Sequence, residues 1–299
     1  MTAGDTEAAV GPERARIRFW GTRGTCPSPG AHTVRYGGNT SCVAVESAGG
    51  ALLVLDAGTG IRALGEALLR RNGQHAATDV LHIVLSHRHG DHVLGLPHFA
   101  PLLSRTHTVC LHCGNADADS LRPFIQGLLS PPLFPLVEGV TRHLDVCDWS
   151  NDHALIGNAM RVVRFPANHP GEASVLCVHI GSRVALAYAP DNELGYASDD
   201  PAIAERRERL ASALRGIPVL IHDATYVDAE LPQHAGWGHS SAEEATRFAM
   251  ECGAEMLVLF HHHPDRSDDE VDAMARACQA IAGDRVQVVA AREGDVLEV

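Results

Sequence analysis

The chain has few basic residues, and no apolar run in it approaches the length of a membrane-spanning helix. Its 24 lysines and arginines are outnumbered by 37 aspartates and glutamates, which gives a formal net charge of -13. Because proteins that follow a phosphate backbone depend on clustered positive charge, this balance argues against binding of long nucleic acids. A small phosphate ester is still compatible with it, since a bound metal ion attracts phosphate locally.

The sequence also lacks the features of a signal peptide. Its first residues, MTAGDTE, are polar and acidic, whereas a signal peptide has a basic start and an apolar centre. We therefore expect a cytoplasmic protein that binds no membrane. With 45% hydrophobic residues over 299 positions, the chain can bury a large core.

Cysteine motifs are scarce as well. The eight cysteines are scattered, and several lie inside apolar runs, where a thiol packs as a small hydrophobic group. Residues 110–113 form the only CxxC pattern. Without a second pair, this pattern indicates packing within a strand rather than a metal or redox site, and we expect no disulfide framework.

Short β-rich runs alternate with helical patterns, which predicts an α/β protein. Two serine-to-glutamate capping boxes, Ser240 to Glu243 and Ser267 to Glu270, predict helix starts, and the second helix is expected to end near Gly283. Residues 1–14 are expected to be a disordered lead, and residues 15–299 a single domain. The predicted strands cover 17–20, 42–45, 52–55, 80–85, 108–111, 160–163, 175–178, 184–187, 219–221 and 256–259.

The most informative motif is SHRHGDH at residues 86–92, directly after the predicted strand 80–85. His87 and His89 are two residues apart, so they project to the same side of an extended strand end and can bind one metal ion. Asp91 and His92 follow Gly90, where the backbone can turn and direct them toward a second ion. A histidine run on the surface is the plain alternative, but the setting after a buried strand favours a metal site.

The spacing His-x-His-x-Asp-His resembles the metal motif of the metallo-β-lactamase superfamily. That resemblance implies two mixed sheets flanked by helices, and a site for two divalent ions. It further implies that His169 completes the first ion's ligands, that Asp191 bridges both ions, and that His261 completes the second. Zinc is the first choice, while manganese or iron would suit the same ligands. His262 is the alternative to His261, and His263 is expected at the surface.

Two later motifs resemble the RNase Z branch of this superfamily. They are HDATY at residues 222–226 and GHSSAEEA at residues 238–245. The resemblance implies that His239 assists at the scissile phosphate and that Asp223 orients it. A carboxylate-held imidazole can supply the proton that a departing oxygen needs near neutral pH. RNase Z has glutamate where this chain has Asp223, and the plain alternative is that His239 only precedes a capped helix.

Glycine-rich turns at residues 19–27, 36–42 and 55–60 resemble those of bacterial metallo-hydrolases related to RNase Z. Glycine there lets the backbone approach a site closely. Asp56 is a candidate for orienting a ligating histidine, with a tight-turn aspartate as the equal alternative. For Arg23 we expect a solvated loop position rather than a phosphate contact.

The substrate is suggested by a missing segment. RNase Z carries a long inserted arm that grips RNA, whereas here only 21 residues, with room for two short strands and a turn, separate His169 from Asp191. An RNase Z-like core without the arm resembles the anti-Pycsar-type cyclic nucleotide phosphodiesterases. This favours a small phosphodiester, with a cyclic nucleotide first, and the family resemblance implies a homodimer.

The implied mechanism is attack on phosphorus by a hydroxide held between two metal ions, with Asp91 orienting it and His239 protonating the leaving oxygen. Alternatives from the same ligand set are a lactonase or amide hydrolase and an RNase Z-like nuclease. A mononuclear iron oxygenase would need only part of the first motif. A non-enzymatic nucleotide-binding module ranks lowest, because binding alone does not require an acid.

Overall fold

The computed structural model describes residues 14–70, 80–104, 107–135, 143–149, 153–157 and 160–299. The predicted disordered lead therefore lies, apart from Arg14, outside the described residues. The strands are β1 (Ala15–Gly21), β2 (Cys42–Ser47), β3 (Leu52–Leu55), β4 (Val80–Leu85), β5 (Thr108–Cys113), β6 (Leu144–Val146), β7 (His153–Ile156), β8 (Met160–Pro166), β9 (Ser174–Ile180), β10 (Arg183–Ala189), β11 (Val219–Asp223), β12 (Met256–Phe260), β13 (Gln287–Ala290) and β14 (Val296–Glu298). The helices are α1 (Ile61–Arg70), α2 (Gly90–Val93), α3 (Ala100–Leu103), α4 (Ala118–Leu128), α5 (Pro201–Ala213), α6 (Ala242–Cys252) and α7 (Asp268–Ala282).

These strands form two mixed sheets. The first sheet has the order β14-β1-β2-β3-β4-β5-β6, and the second has the order β13-β12-β11-β10-β9-β8-β7. Strands β3 to β6 run parallel, as do β10 to β13, so several strands of each sheet end at the same edge. Loops that leave this edge can bring side chains from both sheets together.

Three apolar layers hold the sheets and helices in place. Val84, Tyr188 and Phe260 belong to the layer between the two sheets, and all three are completely buried. A second layer joins the outer face of the first sheet to α1 and α4, and a third joins the outer face of the second sheet to α6 and α7. The predicted α/β architecture of two sheets flanked by helices is confirmed. Across the described ranges, none of the helices combines the length and the apolar character needed to cross a bilayer.

The strands that the sequence did not predict are short, and they lie at the edges of the sheets. β6 and β14 have three residues each, and β7 and β13 have four. All four are terminal strands of their sheets. Because short edge strands bury little apolar surface, their sequences show only a weak hydrophobic pattern.

Helix starts were predicted with one error. The capping box at Ser267 is present with Glu270, and α7 ends before Gly283 as predicted. At α6, however, the N-cap is Ser241, whose side chain accepts a hydrogen bond from the Glu244 backbone. Ser240, in the segment between β11 and α6, instead donates to the carbonyl oxygen of Asn192, which follows β10, at 2.6 Å.

One pair of cysteines departs from the expectation that the chain has no disulfide framework. Cys110 and Cys147 are joined by a disulfide. Their pairing arises because the residue after β6 lies beside β5, a contact that spacing along the chain does not reveal. Five of the other cysteines are buried free thiols, whereas Cys26 is exposed.

The α7 cap gives a first testable prediction. Replacing Ser267 with alanine removes the acceptor for the Glu270 backbone N–H and is expected to lower the free energy of unfolding by about 1 kcal/mol, measured in urea. Ser267→Asp keeps an acceptor at the cap and should stay close to the parent. Equal losses in both variants would contradict a capping role.

Candidate metal centre

The histidines and aspartates predicted as ligands meet at one edge of the two sheets. His87 lies two residues after β4, Asp191 two residues after β10, and His261 directly after β12. The centre is therefore built on loops that start from rigid, buried strands.

The first ligand group contains His87, His89, His169 and Asp191, and its ligand atoms lie within 4.8 Å of one another. His89 Nδ1 is 3.0 Å from His169 Nε2. Oδ2 of Asp191 lies 3.5 Å from Nε2 of both His87 and His169. The structure therefore brings together the residues predicted as ligands of the first ion.

The second ligand group contains Asp91, His92 and His261. Asp91 Oδ2 lies 3.0 Å from His261 Nε2 and 3.2 Å from His92 Nε2. Oδ1 of Asp191 is 3.2 Å from the same two imidazole nitrogens, whereas its Oδ2 faces the first group. Asp191 thus lies between the groups, as a carboxylate that bridges two ions would.

Unpartnered atoms show that this donor set fits metal ions. Nε2 of His87, Nε2 of His92 and Oδ1 of Asp191 are buried and lack a hydrogen-bond partner. An unsatisfied buried polar atom costs about 1–3 kcal/mol. Imidazole nitrogens and carboxylate oxygens that converge in this way are the ligand types that zinc and similar ions accept.

The electrostatics of the group favour ionised carboxylates and a neutral first histidine. Burial alone raises the pKa of Asp191, but the neighbouring His261, His92 and His87 outweigh burial and hold it well below its usual range. The pKa of Asp91 is lowered in the same way, mainly by His92 and His261 against the effect of burial. Burial and the adjacent imidazoles hold the pKa of His87 well below its ordinary value.

Asp56 forms hydrogen bonds with residues of the SHRHGDH motif. Its Oδ2 lies 2.7 Å from His92 Nδ1 and accepts hydrogen bonds from the hydroxyls of Ser86 and Tyr188, each at 2.9 Å. Ser86 Oγ in turn lies 3.0 Å from His87 Nδ1. These contacts orient two of the ligating rings, so the arrangement favours the orienting role for Asp56 over a plain turn position.

His239 is held beside both ligand groups. Its Nδ1 lies 2.8 Å from Asp223 Oδ2, so the shorter aspartate does reach the imidazole. The His239 ring stacks on His261 with centroids 5.1 Å apart and meets His169 edge-on at 5.0 Å. Burial lowers the pKa of His239, but the charge and hydrogen bond of Asp223 outweigh it and raise the pKa to about 9.

The three consecutive histidines have different surroundings. His261 faces the centre, whereas His262 Nε2 lies 2.8 Å from the Ala291 carbonyl oxygen and points away from the ligand groups. This geometry favours His261 as the ligand. His263 is half-buried rather than at the surface, because its ring packs against Tyr226.

The expectation for Arg23 is wrong. This side chain is completely buried, and it donates hydrogen bonds to the carbonyl oxygens of Gly37, His263 and Arg266. Its guanidinium also lies 3.7 Å from Asp268. Arg23 therefore joins the β1–β2 loop, which contains Arg23 and Gly37, to the β12–α7 loop, which contains His263 and Arg266. Contact with this second loop, which is distant in sequence, replaces the solvent that the sequence suggested.

Thr225 and Tyr188 contribute to the site without having been predicted. Thr225 Oγ1 lies 2.7 Å from Asp223 Oδ1 and 3.0 Å from His261 Nδ1, so it connects the His239 support to a ligand. Thr225 could have been noticed, because it belongs to the HDATY motif. No sequence pattern indicated a role for Tyr188, since a tyrosine within a buried strand usually only packs against the core.

Close backbone approach explains one of the glycine-rich turns. A Cβ on Gly24 would lie 2.2 Å from the ring of His261. Three non-glycine residues at the centre, Thr25, Asp56 and His261, adopt φ angles of 63°, 60° and 59°. Such left-handed backbone costs on the order of 1 kcal/mol and concentrates at functional sites.

The sequence matches a known protein family and several relatives. Residues 52–262 match the protein family described as the β-lactamase superfamily domain. An uncharacterized protein of Mycobacterium tuberculosis (strain ATCC 25618 / H37Rv) is 30% identical over 231 residues, covering 75% of each chain. Ribonuclease Z of Natronomonas pharaonis is 27% identical over 318 aligned residues, covering 95% of this chain and 97% of the relative.

A solved structure agrees with the fold. The metallo-β-lactamase fold protein YhfI from Bacillus subtilis superimposes with a TM-score of 0.67 at 19% identity. The alignment covers 96% of this chain and 100% of YhfI. At this identity the similarity concerns the architecture.

The close approach of Gly24 to His261 can be tested by adding one methyl group. Gly24→Ala should push the imidazole away from Asp91 and Asp191, reduce metal content and lower activity by roughly 100-fold, since about 1 Å of misplacement has that effect. Gly30→Ala is the matched control, because a Cβ there meets nothing within 4 Å. Metal content measured by elemental analysis would contradict the argument if both variants equalled the parent.

Proposed function

The chain belongs to the β-lactamase superfamily and is a metal-dependent hydrolase, and on that premise we propose that it hydrolyses small phosphodiesters, with cyclic nucleotides as the first substrate class. The family match and the Ribonuclease Z relative confirm the resemblance read from the motifs. The phosphodiester assignment rests chiefly on one observation, the Asp223–His239 pair beside the ligand groups.

The distances between the ligand atoms support a site for two ions. His87, His89, His169 and Asp191 would hold the first ion, and Asp91, His92 and His261 would hold the second together with Asp191. When bound, such ions stabilise negative charge on a phosphate and lower the pKa of a water molecule. Asp91 has its Oδ2 fixed by the Thr25 backbone N–H at 2.7 Å, which suits it to orienting the attacking water.

His239 would donate the proton that the leaving oxygen needs. Because Nδ1 contacts Asp223, the other ring nitrogen is available to a substrate. Asp223 is completely buried, and its carboxylate stabilises the protonated imidazole before transfer. A proton delivered in this way contributes about 10²–10⁴-fold to rate.

The space beside the centre suits a small molecule. A cavity of about 1170 Å³ reaches His169 and Gly238 and is lined by Tyr196, Leu231 and Arg247 among others. This volume is of the order that drug-sized ligands occupy. Within the described residues, the chain between His169 and Asp191 is the β9–β10 hairpin, with Ile180 and Arg183 at its turn, and carries no arm.

Two substitutions separate metal binding from proton donation. His89→Ala should lose bound metal and activity together, because this imidazole belongs to the first ligand group. His239→Ala should keep its metal content and lose about 10²–10⁴-fold in turnover of a phosphodiester. Elemental analysis with kinetics on bis-p-nitrophenyl phosphate measures both, and hydrolysis by the His239 variant at the parent rate would remove its assigned role.

A substrate panel tests the phosphodiester class itself. With defined zinc, manganese or iron, we expect turnover of cyclic mononucleotides and bis-p-nitrophenyl phosphate, and little turnover of a lactone or an uncharged ester. Turnover of the uncharged esters alone would favour a lactonase or amide hydrolase. Cleavage of structured RNA in preference to cyclic nucleotides would favour an RNase Z-like nuclease, as the Natronomonas pharaonis relative suggests.

The metal identity, the homodimer and the absence of membrane or long nucleic acid partners stay predictions. The acidic net charge of -13 supports the last of these.

A further inference from the structure

A second group of metal-binding residue types lies outside the candidate metal centre. His82 is on β4, and Cys110 and His112 are on β5, with one ligand atom of each within 4.8 Å of the others. Cys147 directly follows β6, and its sulfur is bonded to that of Cys110. Because β6 is the edge strand of the first sheet, we call these residues the edge cluster: His82, Cys110, His112 and Cys147.

The sheet register brings the edge cluster together. His82 pairs with Cys110 across the parallel β4–β5 ladder, and Cys110 and His112 are two residues apart, so their side chains share one face. The backbone N–H of Cys147 donates to the Leu111 carbonyl oxygen at 2.9 Å, which fixes Cys147 beside β5. The arrangement is thus set by backbone hydrogen bonds and does not depend on the disulfide alone.

The imidazoles of the edge cluster have unused polar atoms. Nδ1 of His82 and Nδ1 of His112 are buried and lack a hydrogen-bond partner, and His112 Nε2 faces Cys110 Sγ at 3.3 Å. Burial, with a contribution from His82, lowers the pKa of His112 to about 4. Burial also lowers the pKa of His82. Both rings are therefore neutral near pH 7, which is the form that binds metal.

We propose that, once the disulfide is reduced, the edge cluster binds one zinc-type divalent ion through two thiolates and two imidazoles. Two sulfurs and two nitrogens are a common structural zinc set. With metal–ligand bonds of about 2.0–2.3 Å, neighbouring ligand atoms of a tetrahedral site lie roughly 3–4 Å apart. The 3.3 Å separation of Cys110 Sγ and His112 Nε2 already falls in that range.

The disulfide state of the edge cluster is converted into the metal-bound state by reduction followed by metal binding. A dithiol reductant supplies two electrons and two protons, the Cys110–Cys147 bond breaks, and the reductant becomes a disulfide. Binding of the ion then displaces one proton from each thiol and leaves two thiolates bound. In either state the segment after β6 stays fastened to β5, covalently in one and by coordination in the other. His82 and Cys147 are only half-buried, which gives the reductant and the ion access.

Cobalt substitution tests the proposal without any activity measurement. Co2+ bound by thiolate shows a sulfur-to-metal charge-transfer band, and the candidate metal centre has only histidine and aspartate ligands. We expect the band, with about one additional ion per chain, in protein reduced by a dithiol that is removed before cobalt is added. The band should be missing in the oxidised protein, whose edge cluster lacks free thiols.

Matched variants identify the residues that bind the cobalt ion responsible for the charge-transfer band. Cys147→Ser should abolish it, and His112→Ala should weaken cobalt binding at least tenfold. Cys26→Ser is the control, because Cys26 is an exposed free thiol that belongs to a different loop, and this variant should keep the band. The proposal is overturned if reduced protein with titratable thiols shows no band, or if Cys147→Ser retains it. The comparison of reduced with oxidised parent protein decides the matter even where a variant fails to fold.

Discussion

The structure depends on keeping a buried carboxylate, Asp191, between two groups of imidazoles whose lone pairs converge. Asp191 is 2% exposed, and one of its oxygens lacks a hydrogen-bond partner. Removing charges and lone pairs from water without partners is costly, so such a cluster persists only where the surrounding fold leaves its side chains no alternative positions. Two seven-stranded sheets provide that rigidity, because the loops that carry the ligands begin at buried strand ends.

Hydrogen bonds from supporting residues fix the orientations of the imidazole rings relative to the rigid sheets. Asp56 joins His92 to Ser86 and Tyr188, and thereby connects the first sheet to a residue of the second. Thr225 and Asp223 play the same part for His261 and His239. The proposed acid and one proposed ligand thus share a single support, which couples proton donation to metal geometry.

The edge cluster and the candidate metal centre follow the same logic at different positions of the fold. In both, residues on neighbouring strands or in the loops directly after them place imidazoles beside anionic or potentially anionic ligands, and in both, buried ring nitrogens lack hydrogen-bond partners. Arg23 shows the opposite solution. Its Nε and Nη1 donate to the carbonyl oxygens of three residues, and its Nη2 lies 3.7 Å from Asp268, so Arg23 holds loops together.

The sequence by itself determined the α/β architecture and the strands with strong apolar runs. It also predicted the two ligand groups, with His87, His89, Asp91 and His92 following from rare residue types at local spacing, and His169, Asp191 and His261 following from the family resemblance. The pairing of Asp223 with His239 was implied by the resemblance to RNase Z, and the 2.8 Å distance between Asp223 Oδ2 and His239 Nδ1 supports it. Tertiary structure decided what spacing cannot encode. The Cys110–Cys147 pairing, the burial of Arg23 and the direction of His262 each depend on a neighbouring segment that is distant in sequence. A three-residue edge strand such as β6 carries too little hydrophobic pattern for its position in the sheet to be predicted.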